Sequence, residues 1–456
     1  MSALLIAVPL LIAFLFVPLK NKIKYILPFV ALFSLILILK LPIEQVNFLG
    51  GWKAPFGITL VLDNSSYYSL IVVNIIFFLL SLIPQIIEKD LSLIFLILMA
   101  SINGLILTGD LFNSFVFLEI TSVAAYILSS SKRNYYGAFK YLILGSIAGA
   151  FYLLGTLYSY IGTGSLNLAD ISKNINSEFL AVVPILIFIG LAVETKIFPL
   201  AGWVPDVYAS GSALTPAILA TGVTFSMMYL FGRIFITVFH GEFLNVVYIF
   251  GLITVVVAEL SALKQDNLLR ALSFSSIAQA GLFLSVISMN SYESLTAGYF
   301  HLLNDITAKF VLFIIAASIG KSFIKNKTTG IAFSIASFSL IGFPLFAGFR
   351  SKLLILKTAF LNQNYILPII LLFATIIEIA YVLRWNIKLW YPDNILPQEK
   401  EETQKLSWNV NLILLIVALV IIVIGFYPDI YLKIAQNIAS GLTNYRAYVT
   451  NVLGGM

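Results

Sequence analysis

Apolar stretches of about 20 residues, parted by short polar interruptions, run along most of the chain. A helix needs about 20 predominantly apolar residues to cross the hydrocarbon core of a bilayer, so the pattern predicts about 14 spans. They lie near 2–19, 23–42, 67–86, 91–108, 111–130, 135–161, 179–199, 213–235, 244–263, 270–288, 295–320, 331–360, 365–386 and 408–427. Two features depart from plain apolar rods. Residues 43–66 hold Gly50, Gly51, Pro55 and Gly57 between β-prone stretches, which predicts a hairpin outside the membrane. The stretches KIFPLAGWVPD (196–206) and IGFPLFAGFRSK (341–352) place Pro and Gly within or beside the seventh and twelfth spans. Proline removes a backbone donor and glycine loosens a helix, so both spans should be discontinuous there. Breaks at corresponding places five spans apart point to two inverted five-helix repeats with an ion path between them. Simple proline kinks are the plainer alternative.

The resulting expectation is an all-α polytopic membrane protein. Helices and the hairpin occupy 1–89, a first repeat 90–240, a second repeat 241–390, and a cytoplasmic loop with a last helix 391–456.

Composition agrees. Of the 456 residues 60% are hydrophobic and 11% charged, against about 25% charged in soluble domains. Mean hydropathy is +1.00. Too few polar groups are present to clothe a soluble protein of this size, which excludes most soluble enzyme and nucleic-acid-binding classes. There is no cysteine, so disulfides, iron–sulfur clusters, thiolate haem and Cys-based zinc sites are ruled out within the chain. The two histidines, His240 and His301, are too far apart in sequence to suggest a metal pair. Gly162-Thr163-Gly164 lacks the further glycine of a nucleotide loop, so any driving force must come from an ion gradient or a partner protein. The net charge of +6 fits the positive-inside rule. Lys20, Lys22, Lys24, Lys132, Arg133, Lys264, Arg270, Lys321, Lys325, Lys327, Lys400 and Lys405 fall on one side if both termini face outward. Lysines follow the first helix rather than precede it, so it reads as a retained anchor.

Charges inside the spans carry the functional signal, because each costs about 2.5–3.5 kcal/mol at mid-bilayer on insertion scales. Glu119 sits amid apolar residues, and Glu194 and Lys196 precede the first break. His301, Asp305 and Lys309 follow at spacings of four, along one helix face. Lys352 and Lys357 flank the second break, and Glu378 lies in the thirteenth span. A helix face bearing His, Asp and Lys must point into the bundle or a wet channel, and a low-dielectric setting lets Glu and Lys exchange protons near neutral pH. Charges distributed over successive helices in this way look like a proton relay. Structural ion pairs between helices are the bland alternative. Lys140, Arg233, Glu259, Lys264 and Arg270, near span ends, are expected to snorkel or sit in the interface, and His240 to be an exposed loop residue.

These residues lie in motifs with a resemblance. FLEITSVAAYIL around Glu119, KIFPLAGWVPDVY…LTPAIL (196–219), NLLRALSFSSIAQAG (267–281), HLLNDITAKFVLF (301–313) and GFPLFAGFRSK (342–352) occur in order after the GGW…GITLVLD segment (50–63). Together the chain resembles the antiporter-like membrane subunits shared by respiratory complex I, Mrp-type cation/proton antiporters and membrane-bound hydrogenase or sulfur-reductase complexes. The resemblance implies a proton path in which Glu119 matches the first glutamate, Lys309 the lysine between repeats, His301 its neighbour, and Lys352 the terminal lysine. It also implies departures. The lysine of the first broken helix should stand five before the proline, where this chain has Glu194; Lys196 is displaced by two, about 200° round a helix. The bridging basic position falls on Phe225, a second histidine on Asp305, and a basic residue before Arg270 on Leu269.

The resemblance therefore implies an ion-translocating subunit of a multi-subunit, redox-driven or Mrp-type complex, working through Glu119, Glu194, Lys196, His301, Asp305, Lys309 and Lys352. The departures raise a silent first half-channel, or a cation such as Na⁺ held by Glu119, Glu194 and backbone carbonyls. Its partners would be other membrane subunits, further antiporter-like subunits among them, with peripheral redox subunits in some complexes and no nucleic acid. No cofactor is expected in this chain, and any iron–sulfur clusters belong to partner subunits. A degenerate antiporter fold that anchors or couples partners without conducting is the rival expectation. A stand-alone solute transporter fits the charge-poor spans and motifs less well.

Overall fold

In the computed structural model, residues 1–19, 23–174, 181–209, 212–318, 322–324, 326–392 and 406–454 are described. Helices α1 (Leu4–Leu15) and α2 (Leu27–Lys40) lead into an antiparallel hairpin of β1 (Gln45–Phe48) and β2 (Thr59–Leu62), in which Gln45 pairs with Leu62 and Phe48 with Thr59. The hairpin falls within the 43–66 segment where turn residues separate β-prone stretches. Its last residues hand over to α3 (Asn64–Ser81) through a capping box, in which Asp63 accepts from the Ser66 amide and the Ser66 hydroxyl bonds back.

Helices α4 (Ser92–Leu107), α5 (Leu111–Ser129), α6 (Tyr135–Thr163) and the short α7 (Leu168–Asn174) follow. The first break separates α8 (Val183–Glu194) from α9 (Val204–Tyr208). Next come α10 (Leu214–Val238), α11 (Leu244–Leu263), α12 (Leu268–Ile287) and α13 (Tyr292–Ser318). The second break separates α14 (Lys327–Ile341) from α15 (Ala347–Leu361). The chain then forms α16 (Ile366–Trp390), α17 (Trp408–Phe426), α18 (Asp429–Thr443) and α19 (Tyr445–Leu453). Among the described residues nine helices are long and apolar enough to cross a membrane, and shorter apolar helices accompany them.

The centre of the bundle is α10, α12 and α13. Every residue of the apolar window of α10 is buried, as are most of those in α12 and α13. Outer helices such as α6, α11 and α16 instead turn apolar side chains outward, including Phe139, Ile147, Ile253 and Ile376. A polar solvent would punish that surface, whereas hydrocarbon accepts it. The protein is membrane-integral.

Two ends of the bundle are distinguished by contacts between loops. At one end Asp206 bonds both Lys140 and Arg270, at 2.8 and 2.9 Å. There too Arg384 donates to the Gln265 carbonyl and the Phe323 amide to the Leu389 carbonyl. This basic end gathers three of the lysine- and arginine-bearing loops. At the other, β2, the turn after α4 and the turn before α7 are stitched together by Gly109 to Thr59 and Leu168 to Gly109 hydrogen bonds. Lys20, Lys22, Lys321, Lys325, Lys400 and Lys405 lie outside the described residues, as does 393–405 of the polar loop expected over 387–407.

Two sequence expectations need correction. The region after that loop holds three helices, not one: α18 and α19 follow α17, with α18 packed along α13 and α3. They are amphipathic rather than uniformly apolar, so a search for spanning runs passes over them. Arg233 does not snorkel to an interface. It is buried in α10, paired to Asp63 and bonded to Ser65 and Tyr229, with the Tyr448 ring 4.5 Å away. The pair ties the hairpin end of α3 to α10 and α19. Removing one partner strands a buried charge, at a cost of about 3–5 kcal/mol. Asp63→Ala should therefore lower the detergent-solubilised protein's thermal unfolding temperature markedly, as scanning fluorimetry would register.

Candidate functional site

The first break forms where α8 stops at Glu194. Thr195 closes the helix with its hydroxyl on the Leu191 carbonyl, and Lys196 then takes a positive φ of 62°. A residue in that conformation has left the helix, so the wheel angle of about 200° expected for Lys196 does not apply. The turn is held from outside: the Trp203 indole donates to the Val193 carbonyl, and the Phe198 amide donates to Thr254 of α11. Trp203 also stacks flat on Tyr141, with centroids 3.6 Å apart.

That stack aims the Tyr141 hydroxyl. It donates to Glu194 Oε2 at 2.7 Å, and Ser122 of α5 donates to Oε1 at 2.9 Å. Glu194 is thus tied to α5 and α6, the helices that carry and flank Glu119. Glu119 itself, two turns into α5, is only half-buried. Its carboxylate fills the notch left by Gly149 of α6, where a Cβ would stand 2.2 Å from Oε1.

Lys196 turns the opposite way. Its Nζ donates to Thr224 of α10 and, at 3.2 Å, to Ser276 of α12. Thr224 in turn donates to the Leu219 carbonyl across a π-helical turn, Leu219–Val223, which displaces the backbone enough to seat the lysine. Phe225, at the position where a bridging basic residue is missing, is fully buried and packs edge-on near Tyr299. Asp305 of α13 is the leading opposite charge acting on Lys196, and Glu194 acts on it too.

The next serine of α12 holds the next lysine. Lys309 Nζ donates to Ser275 and to the Leu272 carbonyl, and Asp305, one turn away, is again its foremost counter-charge. Asp305, Lys309 and His301 are all buried on one face of α13. His301 exchanges a 2.8 Å hydrogen bond with Ser351 of α15. Beside it Lys352 crosses the second break, donating to the Ile341 carbonyl at 3.1 Å, to Thr375 at 3.0 Å and to Glu378 Oε2 at 2.9 Å. Gln279 satisfies the other oxygen of Glu378 at 2.8 Å.

The structure therefore gathers Glu194, Lys196, Asp305 and Lys309 into one buried string, continued by Glu378 and Lys352, with Glu119 at one edge and His301 to the side. Lys357 is exposed and apart from it. Glu259, expected at an interface, is 1% exposed and lies among Glu378, Lys352, Lys309 and Tyr381. Its position near the end of α11 concealed this; the sequence could not show that α12 and α16 close over it. The hydroxyls of Tyr141, Ser122, Thr224, Ser275 and Ser276 were also passed over, since Ser and Thr are common in membrane helices. Among polar side chains a relay needs donors at such spacing, but only the fold reveals it.

This defines a class: an all-helical membrane protein with two interrupted helices and a buried chain of alternating acids and lysines. The sequence pattern of the NADH:quinone oxidoreductase/Mrp antiporter transmembrane family matches residues 108–378. Among relatives, the N-type membrane chain of the NADH-quinone oxidoreductase of Desulforudis audaxviator is 31% identical, with 74% of each chain covered. A membrane chain of the Na⁺/H⁺ antiporter of Alkalihalophilus pseudofirmus is 28% identical, covering 89% of this chain and 87% of the relative. A chain of the membrane-bound sulfane sulfur reductase, an archaeal respiratory membrane complex, superposes with a TM-score of 0.88 at 29% identity, with 99% of both chains covered. A chain of the Mrp complex from Dietzia sp. gives a TM-score of 0.92 over 99% of both at 22% identity, a likeness of fold. The chain belongs to the NADH:quinone oxidoreductase/Mrp antiporter transmembrane family.

At the second break Gly348 sits against α14, where a Cβ would be 1.6 Å from the Ser339 carbonyl oxygen. Its amide donates to the Ser339 hydroxyl, which donates to Asn304 beside Asp305. Backbone cannot yield like a side-chain tip, so Gly348→Ala should force α14 and α15 apart. We expect a loss of about 2–4 kcal/mol, in the range of severe core substitutions, read as a lowered unfolding temperature.

Proposed function

We propose that this chain is an ion-translocating membrane subunit of a multi-subunit, redox-driven or Mrp-type complex. It moves protons through Glu119, Glu194, Lys196, Asp305, Lys309 and Lys352, with His301 alongside. The single observation that carries the reading is the path of Lys196. It leaves the first broken helix beside Glu194, and its ammonium reaches Ser276 and the field of Asp305 in the second half. The two halves are joined by a lysine from the break itself, without a basic residue at 225.

The same reading assigns nine long and several shorter apolar helices to a fourteen-span bundle of two inverted five-helix repeats, each with one broken helix. The basic end faces the cytoplasm by the positive-inside rule, so the hairpin and both termini face outward. Glu119 supports a partner. A half-buried carboxylate at mid-helix is costly against lipid, and an adjoining membrane subunit, such as another antiporter-like chain, would cover it. Redox chemistry and any iron–sulfur clusters belong to peripheral partners. Na⁺ is the second ion to test, since Glu119 and Glu194 are near enough to act on one another.

The apolar Phe225 favours a second reading, a subunit that couples partners without conducting. Transport by the reconstituted complex separates the two. Glu119→Gln and Lys309→Ala should each bring ion translocation close to background while assembly stays intact; unchanged transport would assign the coupling role. Because Lys196 already spans the halves, Phe225→Lys should bring no gain in rate.

A further inference from the structure

The proposed relay has a middle and two ends, but none of its members names the route by which the second half draws protons from the basic end. A column of buried polar atoms runs there. On α16, Trp385 and Tyr381 lie at i and i−4, about 6 Å apart along one face. Among the described residues the Trp385 Nε1, the Tyr381 hydroxyl and Glu259 Oε2 are all buried without a hydrogen-bond partner. Trp385 is the outermost, flanked by Arg384 and Lys388, whose charged groups lie over its ring at 5.8 and 5.0 Å. Glu259 stands four residues before the end of α11, about 6 Å in from the Lys264 turn. Tyr381 lies beside both Glu259 and Ser275, though beyond hydrogen-bond distance of either. Ser275 accepts from Lys309.

The contrast between two neighbouring carboxylates is what singles out Glu259. Glu378 has both oxygens bonded, to Gln279 and Lys352, as a structural acid should. Glu259 is equally buried, yet one oxygen is free. Buried polar atoms in native proteins are almost always partnered, by protein or by water. Three such atoms in sequence from the basic end toward Lys309 are a place for exchangeable partners.

We propose that Glu259 and Tyr381 form the proton inlet of the second half, loading Lys309 from the basic end. This rests on the relay reading above. A proton from water on that side binds the Glu259 carboxylate, giving the neutral acid. The acid passes it to the Tyr381 oxygen as Tyr381 releases its own hydroxyl proton to Ser275. Ser275 likewise hands its own to the neutral amine of Lys309, which becomes an ammonium, and Glu259 is a carboxylate again. No charge is created or lost beyond the proton delivered.

The test is proton uptake by proteoliposomes holding the whole complex. Glu259→Gln should cut the rate by about 100-fold, the scale of a lost proton-transfer group, while Glu259→Asp, which keeps the acid, retains most of it. If Glu259→Gln transports normally while Lys309→Ala is dead, the inlet is wrong and the relay stands. If both transport normally, the relay itself is wrong. A second measurement does not depend on the stability of Glu259 variants. The chain has no cysteine of its own, so Tyr381→Cys offers a single thiol on it. A small membrane-impermeant thiol reagent should modify it from the basic end alone, as mass spectrometry of this chain would show. Modification from the opposite end, or from neither, overturns the proposal.

Discussion

A charge in a low-dielectric interior must be answered by another charge or by oriented dipoles, and this requirement organises the protein. Separating one lysine from its partners here would cost several kcal/mol. The bundle meets the demand with α12, whose consecutive serines Ser275 and Ser276 accept from Lys309 and Lys196, and with α13, whose Asp305 acts on both lysines. The interrupted helices follow from the same need. A regular helix would point residue 196 elsewhere, whereas the break lets its side chain fold back between α10 and α12.

Structural and functional charges sort themselves by how they are satisfied. Arg233 with Asp63, and Asp206 with Lys140 and Arg270, are fixed pairs that join helices at the two ends of the bundle. Lys352 and Glu378 lie between the categories: bonded to one another, yet at a break where small movements alter partners. Asp305 has a free oxygen although it serves two lysines, which suits a group whose partner changes as a proton moves. Alternating acids and bases along the string mean that a proton gained at one site weakens the hold of the next, and that is how charge propagates through it.

Much of the fold was legible in the sequence, because hydrocarbon imposes a length and an apolarity that can be read off directly. The breaks were legible for a local reason as well, Pro199 and Gly342 being unable to continue a helix in place. Site residues on one helix, such as His301, Asp305 and Lys309, were grouped correctly by spacing alone. What failed depended on packing between distant segments. Lys196 was placed by a helical wheel that presumed the helix continued past Thr195. Glu259 and Arg233 were given to the interface because they stand near span ends, where only the closure of α12 and α16, or the arrival of α19, decides that they are buried. The hydroxyls of Tyr141 and Thr224 carry no sequence signal distinct from that of any membrane-helix Tyr or Thr.

The central claim is that Lys196 carries protons between the halves. It is tested most directly by measuring ion translocation and the partner subunits' own activity in one reconstituted complex bearing Lys196→Gln, which keeps a polar side chain of similar reach. The account predicts that translocation collapses while the complex assembles and its partners remain active. Undiminished translocation in that variant would contradict it.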